Sequence, residues 1–409
     1  MGFDVTSFYA LGKCANRQLA KGRFISTIIN AGQSKLTGSL KVGQVLTADL
    51  CDSHGVLLLE AGLPVTDALI RRLAELGIRE VYLNENLQKE ASPSRRELEF
   101  PYDVIASQQL EHNYHRITAA LSGFVNDLQD GESTSTDEIE EVVTSYLHET
   151  IKDAGVVLAA CMGLDAQDIK THDDEELQRR SVRMAMLATV AAQQLKLSQA
   201  DCLVAGIIGT IHDISLYGRN YSPLDEEYFE HPFRSIDLLR NTFGVNDQMR
   251  IIIGQVHEQC DGSGYPRRLK SARLHAVSRL LNVIDAFLTL IQPMEVGEPG
   301  VTPSDALAYL VQQALFGYFD RDCVQALVAA ASIYPVGTKV QLDDGTKATV
   351  LRSTGRSYIQ PVVQLDSPEQ KLIDLRFSDR IILQPDESDS RYRRLPRSSF
   401  VQVLWRPAA

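Results

Sequence analysis

The sequence predicts a multidomain, mainly α chain: a long helical bundle with a small α+β module before it and a small β module after it. Three observations lead there. Apolar residues recur at i, i+3, i+4 spacing through residues 101–335. Short stretches rich in leucine and β-branched residues flank that region on both sides, each around a turn signal. The chain has 409 residues, more than the roughly 250–300 at which a single hydrophobic core stops growing.

Residues 1–38 are mixed and weakly helical, and no role is assigned to them. Residues 39–83 read as a small α+β module. Alternating strands surround the turn Asp52-Ser53-His54-Gly55. A helix then opens at the N-cap Thr66, carries Leu69, Leu73 and Leu76 on one face and ends at Gly77; Glu80-Val81-Tyr82-Leu83 closes the unit as a strand. Residues 84–100 are polar around Ser92-Pro93-Ser94 and read as a linker. The helical region follows, broken at Asp130-Gly131-Glu132-Ser133. Its apolar faces include Val142/Tyr146, Met184/Leu187, Val204/Ile207/Ile208/Ile211 and Leu280/Ile284/Phe287/Leu288. Tyr334-Pro335 ends it. Residues 336–385 form alternating strands with a hairpin turn at Asp343-Asp344-Gly345, and 386–409 form a tail holding the single tryptophan, Trp405.

Composition narrows the function classes. The net charge of −12 argues against bulk binding to nucleic acid or an anionic membrane surface. No apolar run approaches the ~20 residues of a membrane span, and Met1–Arg23 lacks the apolar core of a signal peptide, so a cytoplasmic protein is expected. Cys14, Cys51, Cys161, Cys202, Cys260 and Cys323 are scattered singly and read as reduced thiols.

Chemistry gathers in the second half of the helical region. Of the nine histidines, His54, His112, His115, His148, His172 and His275 read as surface or capping residues. The others keep distinctive company. His212-Asp213 closes an apolar helix that begins near Ser198. His231-Pro232 opens another, proline being suited to a first helical turn. His257-Glu258 precedes Cys260-Asp261-Gly262-Ser263-Gly264-Tyr265-Pro266. Asp285 sits inside the apolar stretch Leu-Leu-Asn-Val-Ile-Asp-Ala-Phe-Leu, where a carboxylate must find a cation or hydrogen-bond donors. Histidines and carboxylates converging in a helical bundle are a common way to hold iron, manganese or another divalent ion, and a pair of ions can activate water for phosphodiester hydrolysis.

The order His212-Asp213-Ile214, His231-Pro232, His257-Glu258-x-x-Asp261-Gly262-Ser263-Gly264-Tyr265-Pro266, then Arg279-Leu280-Leu281-x-x-x-Asp285 resembles the HD-GYP branch of the HD phosphohydrolase superfamily, over about residues 175–335. The resemblance implies an HD-type helical bundle and cyclic di-GMP as substrate. It implies a metal-ligand set of His212, Asp213, His231, His257 and Asp285, with Asp213 as the bridging, catalytic carboxylate. It also implies recognition of other cyclic di-GMP signalling proteins through the GYP loop; a homodimer is left open. Gly262 and Gly264 would allow positive φ, and Pro266 would hold Tyr265 extended beside the cavity. Tyr265, Arg267 and Arg279 are the expected ligand contacts, with Arg268 a further cation nearby.

The chain departs from the family pattern at several places. Arg180, in Arg180-Ser181-Val182-Arg183-Met184-Ala185, stands where the family has its first metal-ligand histidine. Leu216 replaces the lysine that closes the HDxGK motif. Val256 replaces one of a histidine pair, and no basic residue follows Asp285 in Ile291-Gln292-Pro293-Met294-Glu295. A guanidinium is permanently charged, and at ~4 Å with an effective dielectric of ~20 it would repel each unit of metal charge by roughly 4 kcal/mol. Arg180 is therefore expected to take a cation's position and to bridge Asp213 and Asp285 as a forked donor. Glu176 lies one turn earlier, where the resemblance would allow the extra carboxylate of three-metal members, but in the acidic run Asp173–Glu176 it reads rather as a solvated helix start. Two functional expectations follow: a signalling protein with lost or weak phosphodiesterase activity, acting as nucleotide sensor or interaction module, or an active metal-dependent enzyme hydrolysing cyclic di-GMP to pGpG or GMP. The cofactor is accordingly iron or manganese where the site works, and none where it does not.

Overall fold

The computed structural model describes residues 34–51, 57–59, 61–75, 78–84, 104–163, 173–219, 226–292, 300–332, 334–352, 360–386 and 392–393. The expected turn at Asp52–Gly55, the linker from residue 85 onward, Cys14, His54 and His172 lie outside these residues.

The first unit is a sheet of β1 (Ser34–Leu36), β2 (Asp49–Cys51), β3 (Leu57–Leu59) and β4 (Glu80–Asn84) in the order β1-β4-β2-β3, all antiparallel, with α1 (Asp67–Glu75) between β3 and β4. Ser34–Leu36 is thus a strand, paired Ser34 to Tyr82, where the sequence suggested only weak helix; its register comes from β4, some 45 residues away. Thr66 caps α1 by accepting from the Leu69 amide at 3.1 Å.

The helical region comprises α2 (Val104–Asp130), α3 (Asp137–Gly163), α4 (Asp173–Gln194), α5 (Gln199–Ile211), α6 (His231–Leu238), α7 (Asp247–Ile253), α8 (Ala276–Ile291), β5 (Gly300–Val301), α9 (Pro303–Leu315) and α10 (Arg321–Ala331). Its core runs from Ile117 to Ala331 and includes every apolar face expected above except Val204, which is half-buried. No described helix is long and apolar enough to cross a membrane. Helix α5 shows how sequence sets position. Ser198 caps it by accepting from the Asp201 amide at 3.1 Å. Ile208 and Ile211 are fully buried, worth about 1.5–3 kcal/mol each. A Cβ at Gly209 would lie 3.0 Å from the Ala185 amide nitrogen, so the missing side chain lets α5 pack directly on the α4 backbone. That close crossing brings the end of α5 beside Arg180.

The C-terminal sheet contains β6 (Lys339–Leu342), β7 (Lys347–Arg352), β8 (Val362–Leu365), β9 (Leu372–Asp374) and β10 (Ile382–Pro385) in the order β10-β6-β7-β8-β9. Its hairpin turn is closed by the Leu342 amide donating to Thr346 at 2.8 Å, with Gly345 at φ +83°. The two sheets, separated by some 250 residues of chain, share one hydrophobic core. Leu50, Leu58, Leu59, Leu73 and Val81 from the first pack with Val340, Leu342, Val350, Leu375 and Ile382 from the second. Arg71 adds an ion pair to Asp343 at 3.1 Å. Beyond this sheet, β11 (Tyr392–Arg393) returns to the helical region and pairs in parallel with β5.

Candidate metal centre

Arg180 lies on α4, His212 and Asp213 end α5, His231 opens α6, His257 follows α7, and Asp285 lies in the middle of α8. All of their side chains point into one buried cluster. Asp213 is the hub. Its Oδ2 lies 3.2 Å from His212 Nε2, and its Oδ1 lies 3.1 Å from His231 Nε2 and 3.4 Å from His257 Nε2. The Nδ1 atoms of all three rings meet acceptors, that of His212 the Gly209 carbonyl at 3.2 Å. His231 Nδ1 donates to the Tyr228 carbonyl at 2.7 Å, and His257 Nδ1 donates to Asp285 Oδ2 at 3.3 Å. Both Nε2 atoms are therefore turned inward, 2.9 Å apart.

The neighbouring seat is taken by the guanidinium. Arg180 Nη2 donates to Asp285 Oδ1 at 2.5 Å, to the Asp285 carbonyl at 3.0 Å and to Thr289 Oγ1 at 2.6 Å. Arg180 is buried, and its hydrogen bonds go to Asp285 and Thr289 rather than to a fork spanning both carboxylates as expected. Thr289 lies one turn beyond Asp285 on α8, which brings its hydroxyl beside the carboxylate.

Electrostatics follow the geometry. Burial works against the Asp213 charge, but His212 and the hydrogen bonds from His212, His231 and His257 hold the carboxyl well below the ordinary range. Burial would also raise Asp285, yet Arg180 and His257 pull it below the usual carboxylate range. Burial lowers His231, outweighing the pull of Asp213. Burial would lower His257 as well, but hydrogen bonds to Asp213 and Asp285 carry it up to about 9.

The GYP loop forms one wall. Tyr265 stacks on His257 at 4.9 Å with 5° between the rings, and Phe229 meets Tyr265 edge-on at 5.1 Å. The Tyr265–Pro266 peptide is cis. Gly262 has φ +88°, as expected, but Gly264 does not adopt positive φ. Gly264 is needed for close approach instead: a Cβ there would lie 2.5 Å from the His257 carbonyl and against the Gln259 amide. Glu258, buried behind the loop, accepts from the amides of Arg267 at 2.6 Å and Leu269 at 2.8 Å. Those amides flank Arg268, which holds φ +56°.

Other sequence-selected residues lie outside the cluster. Arg279 pairs with Asp320 at 3.0 Å and donates to the carbonyls of Ser271 and Leu274. Arg267 is exposed over the Phe233 ring at 5.4 Å. Leu216 and Val256 are buried apolar residues. Glu176 is half-buried, paired with Arg179 and accepting from Gln292 at 3.2 Å, not the solvated start expected. His112, His115 and His148 are exposed, and His275 caps α8 through the Val277 amide. Sequence reasoning gave no role to Tyr228, Glu258 or Thr289. Only Glu258 lay within a recognised motif.

The residues fit a divalent ion in one half of the cluster and not in the other. His212, Asp213 and His257 offer ligand atoms within 4.8 Å of one another, His231 Nε2 lies 3.1 Å from Asp213 Oδ1 and 2.9 Å from His257 Nε2, and all four residues are buried. Around Asp285 the cationic Arg180 already occupies one carboxylate oxygen, which opposes an ion there.

Residues 167–323 match the HD domain family. Those residues therefore form an HD domain, and it carries His-Asp, His-Glu and Gly-Tyr-Pro motifs of the HD-GYP type. The chain is 24% identical over 327 residues to a cyclic di-GMP phosphodiesterase of Pseudomonas aeruginosa, covering 73% of this chain and 76% of that one. It is 31% identical over 157 residues to the cyclic di-GMP phosphodiesterase response regulator RpfG of Xanthomonas campestris, covering 36% of this chain and 41% of the relative. A 3'3'-cGAMP-specific phosphodiesterase of Vibrio cholerae is 24% identical over 164 residues, 38% of this chain and 35% of the relative.

Proposed function

We propose that this chain is a cyclic di-GMP signalling protein whose phosphodiesterase activity is lost or weak, and that it acts as a nucleotide sensor or an interaction module. One observation carries the reading: the Arg180 guanidinium is hydrogen-bonded to Asp285 inside the cluster. In this family the hydrolytic step draws on a metal-activated water and on cations that neutralise the phosphoryl oxygens. A guanidinium supplies charge but activates no water. Leu216 and Val256, buried apolar residues outside the cluster, stand where the family has a phosphate-facing lysine and a further imidazole. When bound, a divalent ion such as iron or manganese would be held by Asp213, His231 and His257 and would supply Lewis acidity. The residues themselves orient that site: Tyr228 and Asp285 hold the imidazole rings in place, and Tyr265 covers His257. The GYP loop, stiffened by Glu258, is a defined surface for other cyclic di-GMP signalling proteins. The reading puts the chain in the cytoplasm.

The test is incubation of the full chain with cyclic di-GMP and Mn(II) or anaerobic Fe(II), with products separated by chromatography. Binding of the dinucleotide without pGpG or GMP is the expected result. Turnover gained in an Arg180→His plus Val256→His variant would support the reading further. Turnover by the unmodified chain, abolished by Asp213→Ala, would overturn it in favour of an active phosphodiesterase, the reading that the surviving Asp213, His231 and His257 arrangement favours.

A further inference from the structure

Three ligand-type atoms form a small triangle in the cluster: Asp213 Oδ1, His231 Nε2 and His257 Nε2. Their separations are 3.1, 3.4 and 2.9 Å. An ion bonded at about 2.1 Å separates neighbouring ligand atoms by about 3.0 Å at a right angle and about 3.4 Å at a tetrahedral angle. The triangle is therefore the size of one face of a single coordination sphere. Its imidazoles are oriented for that purpose. The Tyr228 carbonyl and Asp285 each accept from the far nitrogen, so both Nε2 atoms are turned to the same place.

A second ion would need Asp285, and Asp285 is spent. Its Oδ1 accepts from Arg180 and its Oδ2 from His257. We infer that the chain binds one divalent cation, not a pair, on Asp213, His231 and His257, with Asp285 as an outer carboxylate orienting His257 and Arg180 as a built-in second positive charge. Two imidazoles and one carboxylate with open positions suit Fe(II) or Mn(II). The inference rests on the reading that Arg180 excludes one ion, but its test counts metal rather than product.

The experiment strips the full chain with chelator, returns Mn(II), and reads stoichiometry by elemental analysis after dialysis and ion isolation by electron paramagnetic resonance. One manganese per chain with the spectrum of an isolated ion is expected. His231→Gln should lose it, with circular dichroism and melting checking that the variant is folded. Asp285→Asn should keep one ion at 10- to 100-fold weaker affinity, the usual cost of losing an outer partner. Arg180→His should raise the count to two. Two coupled ions or none in the unmodified chain would overturn the inference, as would loss of the ion in Asp285→Asn as complete as in His231→Gln. A count that stays at one in Arg180→His would overturn the role given to the guanidinium. Rapid turnover with one ion bound would sink the signalling role and leave this inference standing. Two ions without turnover would do the reverse.

Discussion

Replacing Arg180 with methionine removes the charge while keeping much of the buried stem. At 2.5 Å and an effective dielectric of ~20, the Coulomb attraction to Asp285 is roughly 6–7 kcal/mol before desolvation. Burying both ions takes several of those back, so the pair itself adds little relative to an apolar core. Deleting one partner is a different operation. Asp285 would keep its desolvation cost and lose its cation, while its carbonyl and Thr289 Oγ1 lose a donor. The expected loss is about 3–5 kcal/mol. For a helical unit of this size that lowers the melting temperature by roughly 6–20 °C. Scanning calorimetry in chelator measures it, and a second scan with excess Mn(II) should recover most of the loss, because a divalent ion can replace the missing charge. Adding Asp285→Asn to Arg180→Met should cost much less than the two single losses summed. An Arg180→Met chain that melts within ~1 kcal/mol of the parent in chelator would refute the reasoning.

Three further outcomes are expected. Gly264→Ala forces a Cβ against the backbone of His257 and Gln259, so the loop must shift; a destabilisation of about 1–3 kcal/mol should come with loss of manganese binding, read by calorimetry and dialysis. Glu258→Gln halves the acceptor capacity behind the GYP loop and removes its charge, at a cost of about 2 kcal/mol, and hydrogen exchange at the Arg267 and Leu269 amides should speed up. Leu58→Ala in the shared sheet core should cost about 2–5 kcal/mol, whereas Arg71→Ala, half-exposed, should cost at most ~1 kcal/mol; chemical denaturation separates them.

The sequence made the site legible because its chemistry depends on residue identity at short spacing. His212-Asp213, His231-Pro232 and the block from His257 to Pro266 could each be read locally, and Asp285 stood out as a carboxylate in an apolar helix. Partnerships set by packing were not readable. That Arg180 would engage Asp285 and Thr289 rather than reach Asp213 depends on the α4–α8 geometry, and Tyr228 acts through a backbone carbonyl that any residue would possess. Gly264 was read as a conformational residue when contact with the His257 carbonyl is what requires it. The two terminal sheets looked like separate modules since each alternates on its own. Only the folded chain joins Leu58 to Val340 across some 280 residues, and no local pattern records a contact of that sequence separation.

Charge balance explains why both carboxylates persist beside a guanidinium. Asp213 and Asp285 are ionised at neutral pH, Arg180 is cationic, and His257, carried up to about 9, holds a proton there as well. The buried cluster is then neutral without an ion. Had the histidine expected at position 180 simply been lost to an apolar residue, two buried carboxylates would have faced one imidazolium, and the uncompensated charge would cost several kcal/mol. Arginine at that position therefore does more than block a metal: it frees the fold from needing one. The consequence is measurable. Chelation should shift the melting of the unmodified chain far less than that of Arg180→Met, since only the variant depends on a bound ion for neutrality. Equal sensitivity of the two to chelator would mean that the ion, rather than the guanidinium, balances these carboxylates.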